Sequence, residues 1–203
     1  GSTLGCVYRN RAQGIIGWGK LVDRQYLNAI GWKGIRQRKV HLEELLHKAM
    51  AKLRQSEHSI HILDIAAGHG RYVLDALQSS HLQADSVELR DYSPVNVEAG
   101  QALIVEKGIE DAVFKQADAF NQQSIASCEP RPSLAIVSGL YELFSDNALL
   151  EQSLAGLAAA VPVGGYLIYT GQPWHPQLEF IARALTSHQK GQAWVMRRRT
   201  QNE

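Results

Sequence analysis

The chain has 203 residues, 45% hydrophobic and 20% charged, with 21 Lys+Arg against 20 Asp+Glu and only two cysteines. This balance excludes a disordered polyelectrolyte and a disulfide scaffold, and it fits one globular domain with a sizeable core and room for an appendage. The longest apolar stretch, Leu154 to Tyr169, is broken by Pro162, Gly164 and Gly165, short of the ~20 clean residues a membrane span requires, so a soluble protein is expected.

Charge is unevenly placed along the chain. Residues 1–56 hold eleven Lys/Arg and three Asp/Glu, residues 57–182 hold five and sixteen, and Arg183, Lys190 and Arg197-Arg198-Arg199 make the end basic again. Such basic flanks either recognise an anionic acceptor, a phosphate or a nucleic acid, or dock onto the acidic body. The boundary also suggests a division into a basic helical lead-in or lid, 1–56, and a main domain, 57–203. The chain opens Gly1-Ser2-Thr3 with neither Met nor a signal-like apolar run, which reads as a cloning scar ahead of an excised segment, with more protein expected upstream. Cys6 and Cys128 have no CxxC spacing and read as free thiols of a reducing, cytoplasmic compartment.

In chain order, Trp18, Tyr26 and Trp32 stand among glycines and would wall an acceptor site beneath a lid, with Arg36, Arg38 or Lys39 near an anionic group. From Arg36 to Arg54, Val40, Leu42, Leu45, Leu46, Ala49, Met50 and Leu53 recur at helical spacing and predict a surface helix with one apolar face. His41 and His47, six apart, do not share a helix face, and no metal site is expected. The period then changes. Strands are predicted at Ile60–Ile65, Ser86–Arg90, Ala112–Gln116, Leu134–Ser138 and Gly165–Thr170, alternating with helices at Tyr72–Gln78, Pro94–Lys107, Asn121–Ser127 and Asn147–Ala160. That alternation is the signature of an α/β fold with a Rossmann-like, doubly wound parallel sheet. After Thr170 only a helix over Pro176–Ser187 and a short apolar piece at Trp194–Met196 remain.

In such a sheet ligands bind beyond the carboxyl ends of the strands. After the first strand comes Asp64-Ile65-Ala66-Ala67-Gly68-His69-Gly70, where the glycines allow a tight bend and close backbone approach to a ligand. Asp91, with Tyr92 beside it, ends the second strand and can accept hydrogen bonds from both hydroxyls of a ribose; it can equally cap the helix that begins at Pro94. A nucleoside-type cofactor follows. The dinucleotide pattern G-x-G-x-x-G fails at Val73, and no P-loop, H-E-x-x-H or G-x-S-x-G occurs.

The stretch HILDIAAGHGRYVLDAL resembles the first motif of the class I S-adenosylmethionine-dependent methyltransferases, with Asp64, Ala66, Gly68 and Gly70 at the matching positions and Ala66 in place of the first glycine. VELRDYSP resembles the second motif, which assigns the ribose to Asp91 rather than Glu88. KQADAF resembles the acid and alanine after the third strand, so that Asp118, Ala119 and Phe120 surround the adenine. LAIVSGLYELFSD resembles the fourth-strand exit, where Ser138, Gly139 and Leu140 would line the methionine part, and VPVGGYLIYTGQPW resembles the turn and strand that follow. The resemblance spans about residues 58–174 and implies S-adenosyl-L-methionine as cofactor and methyl transfer as activity. The family's last two strands have no counterpart here, and an uncovered sheet edge would favour a homodimer. The lead-in YLNAIGWKGIRQRKVHLE and the tail pieces WHPQLEFIARAL and WVMRRR are similar to those of a bacterial methyltransferase family, some of whose members are joined to an α/β-hydrolase domain. That implies a hydrolase domain upstream.

Methyl transfer from a sulfonium is an in-line displacement that requires alignment and exclusion of water, and a base is optional. If one acts, Tyr141, Glu142 and His175 are the candidates at the fourth and fifth strand exits; Glu142 could instead meet the methionine amino group, and Tyr141 could simply pack. The expected acceptor is a small or lipid-like molecule. The alternatives are a nicotinamide-dependent oxidoreductase and a non-catalytic nucleoside- or RNA-binding module; the acidic middle and the lack of an aromatic stacking platform argue against nucleic acid.

Overall fold

The structure is a computed structural model of the chain and describes residues 7, 27–171, 174, 176–184 and 194–200. The chain divides into two compact units, residues 1–42 with 174–195 and residues 43–173 with 196–203. In the first unit, α1 (Ile30–Gln55) begins and α6 (Leu178–Ala184) lies near the end, with an exposed Arg183–Glu179 pair at 2.6 Å. Of the predicted lid aromatics, Trp18 and Tyr26 lie outside the described residues.

The second unit takes the rest of α1 and the sheet. The charge boundary at Ser56 therefore falls past the structural one, because Leu46, Ala49, Met50 and Leu53 are buried and tie the second half of α1 into this unit. The helix buries a narrower stripe than its apolar residues suggest: Val40 and Leu45 remain exposed, since 3.6-residue periodicity turns them off the line of Leu42, Leu46, Ala49 and Leu53. Two bonds fix its end, His47 Nε2 with the Ala76 carbonyl at 2.8 Å and Arg54 Nη2 to the Gln83 carbonyl at 2.9 Å, and Arg54 also pairs with Asp85 at 2.9 Å.

The sheet elements are β1 (His61–Asp64), α2 (Arg71–Ser79), β2 (Ser86–Asp91), α3 (Pro94–Lys107), β3 (Ala112–Gln116), α4 (Gln122–Ala126), β4 (Leu134–Val137), a 3₁₀ turn (Tyr141–Leu143), α5 (Asn147–Ala160) and β5 (Tyr166–Tyr169). All pairings are parallel in the order β3-β2-β1-β4-β5, so the winding reverses between β1 and β4, in register Asp64 with Ile136. This is the predicted doubly wound sheet. β4 is buried at every residue and β1 at all but His61, as expected of a parallel sheet's middle strands, whereas β3 and β5 at the edges alternate or open to solvent. One core cluster lies between β1, β4 and the α4–α5 pair: Leu63, Ile65, Ile125, Ala135, Val137, Leu150, Leu157 and Ala160.

Glu88 and Arg90 share a face of β2 and are both buried. The Glu88 carboxylate binds Arg90 Nε and, at 2.5 Å, Lys115 Nζ, while Arg90 Nη1 donates to the Ser124 carbonyl at 3.1 Å. Desolvation of the Glu88 carboxyl is outweighed by these two cations, and its affinity for protons falls below the usual value. Deleting the anion would strand a buried guanidinium. Glu88→Ala should therefore lose about 3–5 kcal/mol of unfolding free energy in urea; a loss within that of a typical surface change, below about 0.5 kcal/mol, would show the pair to be dispensable.

Candidate functional site

The turn after β1 is fixed by its backbone. Ala67 N–H donates to the Arg90 carbonyl at 2.8 Å and Gly70 N–H to the Ala67 carbonyl at 2.8 Å, joining the turn to the end of β2. Gly68 and Gly70 both have left-handed backbones, φ 62° and 68°. At Gly70 a Cβ would also stand 2.5 Å from Leu89 Cδ1, so only glycine fits between α2 and β2; at Gly68 nothing lies within 4 Å, leaving its backbone open to close approach. Ala66, which stands where the resemblance has glycine, is partly buried and packs against the core.

Asp64 is wholly buried. Its Oδ1 accepts the Ala66 N–H at 3.2 Å and its Oδ2 the Tyr72 hydroxyl, so this carboxyl braces the turn from beneath. Burial pushes it up to about 7, against the lowering effect of those two donors, with Asp91 adding to the rise.

Asp91 meets Gly68 directly. Oδ2 accepts the Gly68 N–H at 2.9 Å, and Oδ1 accepts the Ser93 N–H and Asn96 Nδ2, each at 2.9 Å. A carboxylate has about four acceptor positions, and three are filled; one on Oδ2 can take a hydroxyl without displacing anything. Asp91 thus organises the turn into α3 while facing the glycine turn. A pair of hydroxyls would have to displace Asn96. The nearby His69 imidazole is held below its usual value by burial and by Arg71, against the opposing effects of Asn96 and Asp91. Tyr92 is 75% exposed beside this cluster.

At the third exit, Asp118 is exposed with Oδ1 accepting the Phe120 N–H at 2.9 Å, and Ala119 is buried. Phe120 stacks edge-on against Phe144, ring centroids 4.7 Å apart, which links this exit to the fourth. At the fourth exit Gly139, φ 70°, donates its N–H to Thr170 Oγ1 at 2.8 Å, between the partly buried Ser138 and Leu140. Ala66, Phe120 and Leu140 rest on one core cluster, so three exits share a floor.

The base candidates separate. Tyr141 is buried with its hydroxyl 2.9 Å from Ser153 Oγ, and burial raises its phenol above the usual value, with Ser153 partly opposing; it packs, and is not poised to take a proton near neutral pH. Glu142 is buried within the 3₁₀ turn, and His175 lies outside the described residues. Three contributors escaped sequence reasoning: Tyr72 beneath Asp64, Asn96 on Asp91 and Thr170 on Gly139. Only Asn96 had a signal, as an amide in the first turn of the helix that follows the acid.

The whole chain, residues 1–203, matches the family described as "Putative methyltransferase". It is 55% identical over 204 residues to the uncharacterized protein YnbC of Escherichia coli (strain K12), covering 100% of this chain and 35% of that protein, so the chain spans roughly a third of its curated relative. A solved structure from Bordetella parapertussis, described as a possible exported protein, is similar at TM-score 0.67 and 15% identity, covering 87% of this chain and 55% of that one. PKMT2 from Rickettsia typhi in complex with AdoHcy is similar at TM-score 0.50 and 16% identity, covering 62% and 23%. These structural likenesses concern the fold. Among the described residues no helix is long and apolar enough to cross a membrane.

The raised Asp64 carboxyl has a pH consequence. The folded state keeps a proton that the unfolded chain, at its ordinary 3.8, releases, so this group's contribution to stability falls as pH rises from about 4 to 7, by at most roughly 4 kcal/mol. Urea unfolding of the parent and of Asp64→Asn should show the variant gaining relative stability between pH 5 and pH 8. A difference independent of pH would contradict this origin.

Proposed function

The chain belongs to this methyltransferase family, and from that premise we propose that the exits of β1 to β4 bind S-adenosylmethionine for methyl transfer to a small-molecule or lipid-like acceptor. The observation that supports this most is the joint made by Gly68 and Asp91, 2.9 Å apart, with an open backbone on one side and an unfilled carboxylate position on the other. That is the chemistry a ribose with an adjoining sulfonium chain asks for. S-adenosylmethionine supplies a methyl group on a positively charged sulfur, transferred by in-line displacement.

The protein's part is to bind and align. Asp91 Oδ2 takes one ribose hydroxyl and Asn96 yields to, or relays, the second. The exposed Asp118 carboxylate retains Oδ2 for the adenine amino group, with Ala119 and Phe120 against the ring. Ser138, Gly139 and Leu140 line the methionine side, Ala66 and Gly70 shape the turn, and Tyr92 covers the ribose edge. Asp64 acts through the turn and does not touch the donor. Glu142 is assigned to the methionine amino group. Where an acceptor must lose a proton, His175 after the fifth strand takes it.

The net charge of −11 over residues 57–182 disfavours a polyanionic acceptor, since nucleic acid affinity depends on cationic neutralisation of phosphates. The G-x-G-x-x-G pattern fails at Val73, fully buried in α2, which disfavours a dinucleotide. Calorimetric titration should show micromolar binding of S-adenosylmethionine and S-adenosylhomocysteine and none of reduced nicotinamide cofactor. Asp91→Ala should weaken that binding about tenfold or more, the equivalent of 1.4 kcal/mol. Equal affinity of the variant would remove Asp91 from the site, and binding of the nicotinamide cofactor instead would overturn the donor.

A further inference from the structure

The stretch from Met196 to Thr200 has no regular secondary structure and adds no strand to the sheet. It is nevertheless bound along the loop behind β4. Arg197 donates its backbone N–H to the Glu142 carbonyl and its Nη1 to the Ser145 carbonyl, both at 2.8 Å. Arg199 spreads one guanidinium over three acceptors: Nη1 to the Tyr141 carbonyl at 2.7 Å, Nη2 to the Phe144 carbonyl at 2.8 Å, and Nε and Nη2 to Asn147 Oδ1 at 3.1 and 2.9 Å. Arg198, between them, is exposed.

The 3₁₀ turn closes through Leu143 N–H to the Leu140 carbonyl at 2.9 Å and a long 3.4 Å contact from Phe144 N–H to the Tyr141 carbonyl. Asp146 then caps α5 through the Ala148 N–H at 2.9 Å. Between these two points the chain must turn from Leu140 to Asn147 while its carbonyls find donors. The Arg199 fork reaches both ends of the segment at once, the 3₁₀ turn through the Tyr141 and Phe144 carbonyls and the first residue of α5 through the Asn147 side-chain oxygen. A lysine, with one compact ammonium, cannot span the same set.

We propose that Arg199 is a positioning residue: by bridging Tyr141, Phe144 and Asn147 it sets where Ser138, Gly139 and Leu140 stand at the donor site. This rests on the donor reading above. The basic tail therefore serves as an internal latch on the fourth strand exit, and Arg197 aids it by binding the intervening carbonyls.

The test uses Arg199→Ala, Arg199→Lys and Arg198→Ala in the full chain, with amide hydrogen exchange across residues 139–147 and calorimetry with S-adenosylhomocysteine. Arg199→Ala should raise exchange in that segment about tenfold, with β1 and β2 amides unchanged, and weaken S-adenosylhomocysteine about five- to tenfold. Arg199→Lys should fall between it and the parent, and Arg198→Ala should match the parent. Unchanged exchange in Arg199→Ala overturns the latch. Raised exchange with unchanged affinity overturns the positioning role. A parent chain that protects the loop but binds neither S-adenosylmethionine nor S-adenosylhomocysteine overturns the donor reading, and the positioning role falls with it. Should the alanine variant unfold, the lysine variant decides by the same two readouts.

Discussion

The hydrogen bond from the Gly68 N–H to Asp91 Oδ2, reinforced by Ala67 N–H to the Arg90 carbonyl, makes one rigid corner from two strand ends that are 23 residues apart in sequence. Its requirements spread outward. A chain that turns this sharply needs left-handed backbone at Gly68 and Gly70, and it brings Gly70 so close to Leu89 that a side chain is excluded. The buried start of the turn needs an acceptor for the Ala66 N–H, which Asp64 provides, and Asp64 in turn needs Tyr72. On the far side Asp91 is steadied by Ser93 and Asn96. The acid and the glycine turn cannot move independently, which is the preorganisation a nucleoside-type ligand needs.

Much of this was legible in the sequence because parallel strands buried on both faces leave short, unbroken apolar runs between helical stretches. LAIV and HILD announce middle strands in this way, and the helices Pro94–Lys107 and Asn147–Ala160 have the limits that their proline start, glycine stop and asparagine start suggest. The two acids of β2 stand in different settings: Glu88 is buried and bound by two cations, whereas Asp91 stands at the end of the strand. What the sequence could not show was partnership across distance. Nothing in the spacing of Tyr141 and Ser153 reveals that they share a hydrogen bond inside the core, and nothing in the sequence of β2 reveals that the exposed Lys115 binds the buried Glu88.

The basic end of the chain illustrates the same limit. Its arginine run left open two readings, recognition of an anion or docking onto the body. For Arg197 and Arg199 the structure shows docking that includes neutral carbonyl oxygens, acceptors that a charge count does not bring to mind. Charge asymmetry predicted attraction and missed these acceptors, because the backbone carbonyls of a 3₁₀ turn and the amide oxygen of Asn147 leave no mark on net charge. In the second half of α1 the simpler expectation holds, with Arg54 paired to Asp85.

The account stands on the strand exits acting as a single donor site. The most direct measurement is the amide NMR spectrum of the chain titrated with S-adenosylhomocysteine. The account predicts saturable shifts concentrated at residues 66–70, 91–93, 118–120 and 138–140, with Gly68 among the largest. Saturable shifts confined to other parts of the chain, or none at millimolar ligand, would contradict it.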